Sequence, residues 1–125
     1  MRRVVDSSAW LEHLQGTTRA RLFEPALANL QNVLVPTLVL YEVHRVLAVK
    51  GLEDAADAAF ALMSRAQVSD LTAEVAWKAS QCARAHRLAM ADAMIYATAL
   101  HHGAELWTQD AHFEGLPGVR YFAKP

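Results

Sequence analysis

Short apolar strands alternate with amphipathic helices along the whole of this chain, and that order restricts the fold more than any other feature. Val4-Val5 reads as a buried β-branched strand closed by Asp6. Ser7 or Ser8 then caps a helix carrying Trp10, Leu11 and Leu14, which Gly16 breaks. Thr17 or Thr18 opens a second helix, with Leu22, Phe23, Ala26, Leu27 and Leu30 at helical spacing, ending at Asn32. Val33-Leu34-Val35 is the next strand, closed by Pro36. Thr37 caps a helix that runs to Lys50 and the C′ glycine Gly51.

Leu52, Ala56, Ala59, Phe60 and Met63 mark another amphipathic helix. A weak strand over 68–71 follows, then Thr72 as the cap of a helix turning Val75, Ala79, Cys82 and His86 inward. A last helix is expected over 92–102, stopping at Gly103, with strands at 105–108 and 119–122 around a Gly115-Leu116-Pro117-Gly118 turn. Strand–helix alternation of this kind predicts an α/β fold, a parallel sheet flanked by helices, in a single domain spanning 1–125.

Composition sets limits on function. Hydrophobic residues make up 54% of the chain, enough for a core without staples. The net charge of −1 means that a nucleic-acid partner has to be held by a local patch or by metal ions. The single cysteine, Cys82, excludes an intramolecular disulfide and a cysteine zinc cluster, and fits a cytoplasmic setting. The N-terminus lacks the apolar stretch of a signal peptide, and no apolar run has membrane-spanning length.

Ligands of open parallel sheets bind beyond the carboxyl ends of the strands. Asp6 directly follows the first strand and Asp110 lies two residues beyond Thr108, although loop carboxylates and helix caps stand in such places too. Glu42 falls on or beside an apolar stripe with Leu38, Val39 and Val46, where a carboxylate needs either a partner or an edge position open to water. Asp92 stands at the start of the last helix, near Ile95 and Ala99, where it either caps or turns inward. Four carboxylates converging on one pocket need compensation. A hard divalent cation, Mg²⁺ or Mn²⁺, supplies it and is the usual apparatus of phosphodiester cleavage. Ser7 and Thr108 are placed to orient ligands around such a site, or to serve as caps. Arg45, Arg84 and Arg87 are candidates for phosphate.

Among other residues, His101 and His102 point about 100° apart on a helix and cannot easily share an ion. His112 either touches phosphate or is an ordinary loop residue. Trp77 and Trp10 mark interfaces or pack internally, a contact with a partner protein being the sharper reading of Trp10.

Four segments resemble, in order, the motifs of the PIN-domain family, and especially its VapC-type toxins. They are Val4-Val5-Asp6-Ser7-Ser8-Ala9-Trp10-Leu11-Glu12, Pro36-Thr37-Leu38-Val39-Leu40-Tyr41-Glu42-Val43, 88–99 around Asp92, and Leu106-Trp107-Thr108-Gln109-Asp110-Ala111-His112-Phe113. The resemblance implies a PIN-like parallel sheet and a Mg²⁺ or Mn²⁺ site formed by Asp6, Glu42, Asp92 and Asp110. It also implies endoribonuclease activity leaving 5′-phosphate and 3′-hydroxyl ends, a homodimer and a cognate antitoxin protein. Three other readings compete. A PIN domain without catalysis, binding RNA or serving assembly, is opposed by the presence of all four acidic positions. A phosphate-accepting receiver domain needs a second acidic residue beside Asp6 and a lysine after a late strand, where this chain has Ser7 and only the near-terminal Lys124. A DNA-directed nuclease uses the same metal chemistry.

Overall fold

The computed structural model describes residues 1–125. Five strands are formed: β1 (Arg3–Val5), β2 (Leu34–Pro36), β3 (Gln67–Ser69), β4 (Glu105–Thr108) and β5 (Val119–Tyr121). Six helices connect them: α1 (Ser7–Gln15), α2 (Ala20–Leu27), α3 (Thr37–Val49), α4 (Glu53–Met63), α5 (Ala73–His86) and α6 (Met90–His101). β1 pairs with β4 and β4 with β5, and β2 pairs with β3, every pair being parallel. A single parallel bridge, Arg3 to Val33, joins the two groups, so the strands run across the molecule in the order β3-β2-β1-β4-β5. This is the parallel α/β sheet with helical flanks that the alternating sequence predicts.

The strands are short but buried. Val4, Val5, Leu34, Val35 and Leu106 are all fully buried in one core of 29 residues. Such runs lack polar alternation because both sheet faces are covered. Helices contribute one face each: Val39, Val43 and Leu47 from α3, Val75 and Ala79 from α5. Helix α6 is buried nearly all round, from Ala93 through Ala99. Small residues there let it lie close to its neighbours. No helix is long and apolar enough to cross a membrane.

Several boundaries differ from the sequence expectation, each for a local reason. Asp6, not Ser7 or Ser8, caps α1: its Oδ1 accepts the Ala9 N–H at 3.0 Å. Thr17 opens no helix, because its hydroxyl donates to Glu12 Oε1 at 2.9 Å. Helix α2 starts three residues later and stops at Leu27; Leu30–Asn32 is a separate 3-10 turn, capped by Asn29. Thr37 lies inside α3, and Pro36 precedes it as the cap residue. α6 begins at Met90, which puts Asp92 in its first turn rather than at its start. Trp10 is 1% exposed and so belongs to the core, not to a surface for a partner; Trp77 is 64% exposed.

Thr72 does cap α5, accepting the Val75 N–H at 3.2 Å. Thr72→Ala removes that bond and is expected to cost about 1 kcal/mol. Thermal unfolding should show a drop of a few degrees; an unchanged melting temperature would mean that water replaces the cap without loss.

Candidate metal centre

The parallel pairing of β1 with β4 sets Val5 beside Trp107, and the Asp6 N–H donates to the Trp107 carbonyl at 3.2 Å. The carboxyl ends of the two strands therefore emerge side by side, and with them Asp6 and the Thr108–Asp110 segment. The Thr108 hydroxyl ties these together. It donates to Asp6 Oδ2 and accepts the Asp110 N–H at 2.9 Å. Asp6 Oδ1 takes two further donors, the Ala9 N–H and, at 3.3 Å, the Ser8 hydroxyl.

Asp6 is 5% exposed. Burial pushes its carboxyl up to about 6, against the lowering effect of the Thr108, Ala9 and Ser8 hydrogen bonds, and the Asp110 charge adds to the rise. Asp92 is raised as well, first by burial and then by Asp110, with His112 opposing. The three aspartates thus share one electrostatic neighbourhood. His112 joins it: its Nδ1 lies 3.5 Å from Asp92 Oδ2 and 3.2 Å from Asp110 Oδ1. Ligand atoms of Asp92, Asp110 and His112 fall within 4.8 Å of one another.

Glu42 approaches from α3 and stands outside that tight group. Its Oε1 accepts the Ser7 hydroxyl at 2.6 Å, so it is tied to the residue next to Asp6. Ser7 thereby serves Glu42, and Thr108 serves Asp6 and the Asp110 backbone. Arg45 is exposed on the same helix, one turn beyond Glu42, and lines a cleft with Ser7, Ser8 and Glu42. Arg84 is exposed, its Nε donating to the Ser80 carbonyl of its own helix. Arg87 closes α5 in a left-handed conformation (φ 56°). Neither Arg84 nor Arg87 pairs with a carboxylate of the site. His101 and His102 go separate ways, toward Glu74 and Ser69.

His112 is more than the loop residue or phosphate contact that the sequence suggests: it reaches the aspartates because Asp110 caps the 3-10 turn Ala111–Phe113, its Oδ1 accepting the His112 N–H. One participant lies beyond the reach of sequence reasoning. Gln109 is 4% exposed between Thr108 and Asp110. Its amide is held by Arg19 Nε at 2.7 Å and by Glu12 Oε2 at 3.0 Å, which fixes the segment carrying Asp110.

The donor set fits a hard divalent ion. It consists of carboxylate oxygens with one imidazole beside them. Two of the carboxyls are raised, first by burial and further by the Asp110 charge.

A family model described as PIN domain matches residues 3–119. The chain belongs to the PIN-domain family. Its PIN fold also recurs in solved structures. A toxin–antitoxin complex from Klebsiella pneumoniae superposes with a TM-score of 0.80 at 23% identity, covering 94% of this chain and 95% of that one. VapC20 of Mycobacterium tuberculosis, described as a Sarcin-Ricin loop cleaving toxin, gives 0.74 at 22% identity, covering 92% and 95%. VapBC2 from Rickettsia felis, bound to a DNA fragment from its promoter, gives 0.76 at 14% identity over 98% of both chains. At these identities the likeness is one of fold. No curated protein matches the chain in sequence.

Proposed function

We propose that this PIN-domain protein is a divalent-metal-dependent endoribonuclease, a single domain acting as the toxin of a type II toxin–antitoxin pair. The convergence of Asp6, Asp92 and Asp110 at the carboxyl edge of the parallel strands carries the reading. Asp6, Asp92 and Asp110 would hold Mg²⁺ or Mn²⁺, with Glu42 completing the acidic set from α3. When bound, the ion supplies positive charge at a scissile phosphate and lowers the pKa of water.

The chain's own residues prepare the ground for that chemistry. Thr108 orients the Asp6 carboxylate and, through the Asp110 N–H, fixes the spacing between two of the acidic groups. Ser7 keeps Glu42 turned toward β1. His112 stands with Nδ1 within reach of both the Asp92 and Asp110 carboxylates, which fixes its ring against the acidic group.

The wider reading draws on the neighbours. Structures of this fold include toxin–antitoxin complexes, which supports an antitoxin partner for this chain. A ribonucleolytic relative supports RNA as the substrate. A homodimer fits the exposed Trp77 and Met90 on α5 and α6, and a cytoplasmic location fits the lone Cys82.

The test is incubation of the purified protein with end-labelled transfer and ribosomal RNA in Mg²⁺ or Mn²⁺, against EDTA and against Asp92→Asn. Discrete cleavage that needs metal and vanishes in the variant is expected. Cleavage that survives the substitution, or a protein that neither cuts RNA nor binds metal, would overturn the reading; the second result favours a non-catalytic PIN module.

A further inference from the structure

Two clefts meet beside the acidic centre. One, of about 400 Å³, is lined by Ser8, Gln109, Asp110, Ala111, Tyr121 and Lys124. The other, of about 440 Å³, includes Ser7, Tyr41, Glu42 and Arg45. Ser8 lines both, and its hydroxyl contacts Asp6, so the two clefts adjoin beside that carboxylate as the arms of a groove, with Glu42 on one arm and Asp110 on the other.

Each arm of the groove holds one aromatic ring and one cation. Tyr121 stands opposite Thr108 in the β4–β5 register, which sets its ring at the same strand edge as Asp6. Tyr41 is 60% exposed on α3. Neither ring stacks on another aromatic side chain, and neither hydroxyl is bonded within the protein. Lys124 and Arg45 are both exposed, and neither forms an ion pair. Tyr121 is half-buried, with its ring lining the cleft. Accessible rings next to unpaired cations are what a single-stranded nucleic acid uses: bases stack on the rings and phosphates meet the cations. The electrostatics favour such flanks. With a net charge of −1 and carboxylates at the centre, the protein itself offers a polyanion no attraction at the middle of the groove, so cations on the two flanks add to whatever hold a bound ion supplies there.

Resting on the nuclease reading above, we propose that a single-stranded RNA lies along this groove, one base on Tyr121 with its phosphate at Lys124, and the base across the scissile bond on Tyr41 with its phosphate at Arg45. The rings need splayed bases, so a paired stem cannot occupy both arms. Tyr41, Arg45, Tyr121 and Lys124 act as binding residues, and Gln109, in the arm with Tyr121 and Lys124, as a positioning residue.

The test measures the affinity of a fluorescent, unstructured RNA of about ten nucleotides for the Asp92→Asn protein by anisotropy across a salt series. Tyr121→Leu and Tyr41→Leu should each weaken binding between about fivefold and about a hundredfold, the cost of one lost base stack. Tyr121→Phe and Tyr41→Phe, which keep the ring, should restore it. Lys124→Gln and Arg45→Gln should each lower the slope of log affinity against log salt by about 0.7. In the otherwise wild-type protein the same changes should raise KM more than they lower kcat. Both lysine and arginine lie at the surface, so their arms stay informative even if a leucine variant folds poorly. If the wild type cuts RNA and all these variants bind and cut as it does, or if a duplex binds as well as the single strand, the groove assignment falls alone. If the wild type neither binds nor cuts RNA, the nuclease reading falls and the groove assignment with it.

Discussion

Asp92→Asn should reduce RNA cleavage by about a thousandfold or more, equivalent to about 4 kcal/mol of transition-state stabilisation, while leaving the melting temperature unchanged. The substitution keeps shape and removes one negative charge from a site whose proposed ion depends on it. Loss of a charged ligand weakens the hold on the metal and on the geometry around the phosphate together. The fold has little to lose. Asp92 sits in the first turn of α6 with its side chain 22% exposed, accepts no backbone hydrogen bond, and is repelled by Asp110. Burial and Asp110 together outweigh the attraction to His112, so removing the charge leaves the fold no less stable. Cleavage assays and thermal melts on the same preparation decide the matter. A large fall in melting temperature would make the loss of activity uninformative about the site and assign Asp92 a structural role instead.

Asp6→Asn should separate stability from activity in the opposite sense: a protein inactive on RNA that, free of metal, melts above the wild type at neutral pH. Asp6 has its carboxyl raised from 3.8 to about 6, mostly by burial. Between those values the folded state holds a proton that the unfolded chain has released, so stability falls as pH rises through this window. The stabilisation is complete below about pH 4 and gone above about pH 6 to 7. A shift of this size corresponds to about 3 kcal/mol for a group so well buried. Asparagine avoids that cost. Its Oδ1 keeps the Ala9 cap, and its amide donates to the Thr108 hydroxyl, which still accepts the Asp110 N–H. Melts in EDTA should show the variant and the wild type converging near pH 4 and diverging by several degrees near pH 7.5. Adding Mn²⁺ should then raise the wild type far more than the variant, because an ion that binds only the folded state stabilises it by mass action. A difference independent of pH would mean that the buried charge is not what the substitution relieves.

The acidic centre was more legible in the sequence than the surfaces around it. Asp6 stands out because a carboxylate directly ends a β-branched run, and Glu42 because it interrupts an apolar helix stripe; both signals are local. Asp110 follows from its distance to a strand end. His112 and Gln109 depend on a one-turn 3-10 helix and on a contact with Arg19 some 90 residues away, and no periodicity encodes either. Tyr121 and Lys124 matter only once β5 is known to pair with β4, a register set by tertiary structure. Helix limits failed where side chains found better partners. Thr17 satisfies Glu12 instead of a helix end, and Asp6 caps α1 because its carboxylate reaches the Ala9 N–H before either serine does. The two tryptophans divide for a simple reason. Trp10 falls on the face of α1 that meets the sheet, and Trp77 on the face of α5 that does not, a distinction that composition cannot make.

The bond between Asp6 and Thr108 joins residues 102 positions apart. At a synthesis rate of about 5–20 residues per second, Asp6 leaves the peptidyl-transferase step roughly 5–20 s before Thr108 is made. Throughout that interval β1 has no β4 to lie against, and the first carboxylate has no second strand edge to face. The growing polypeptide therefore cannot assemble its acidic centre while most of it is still being made.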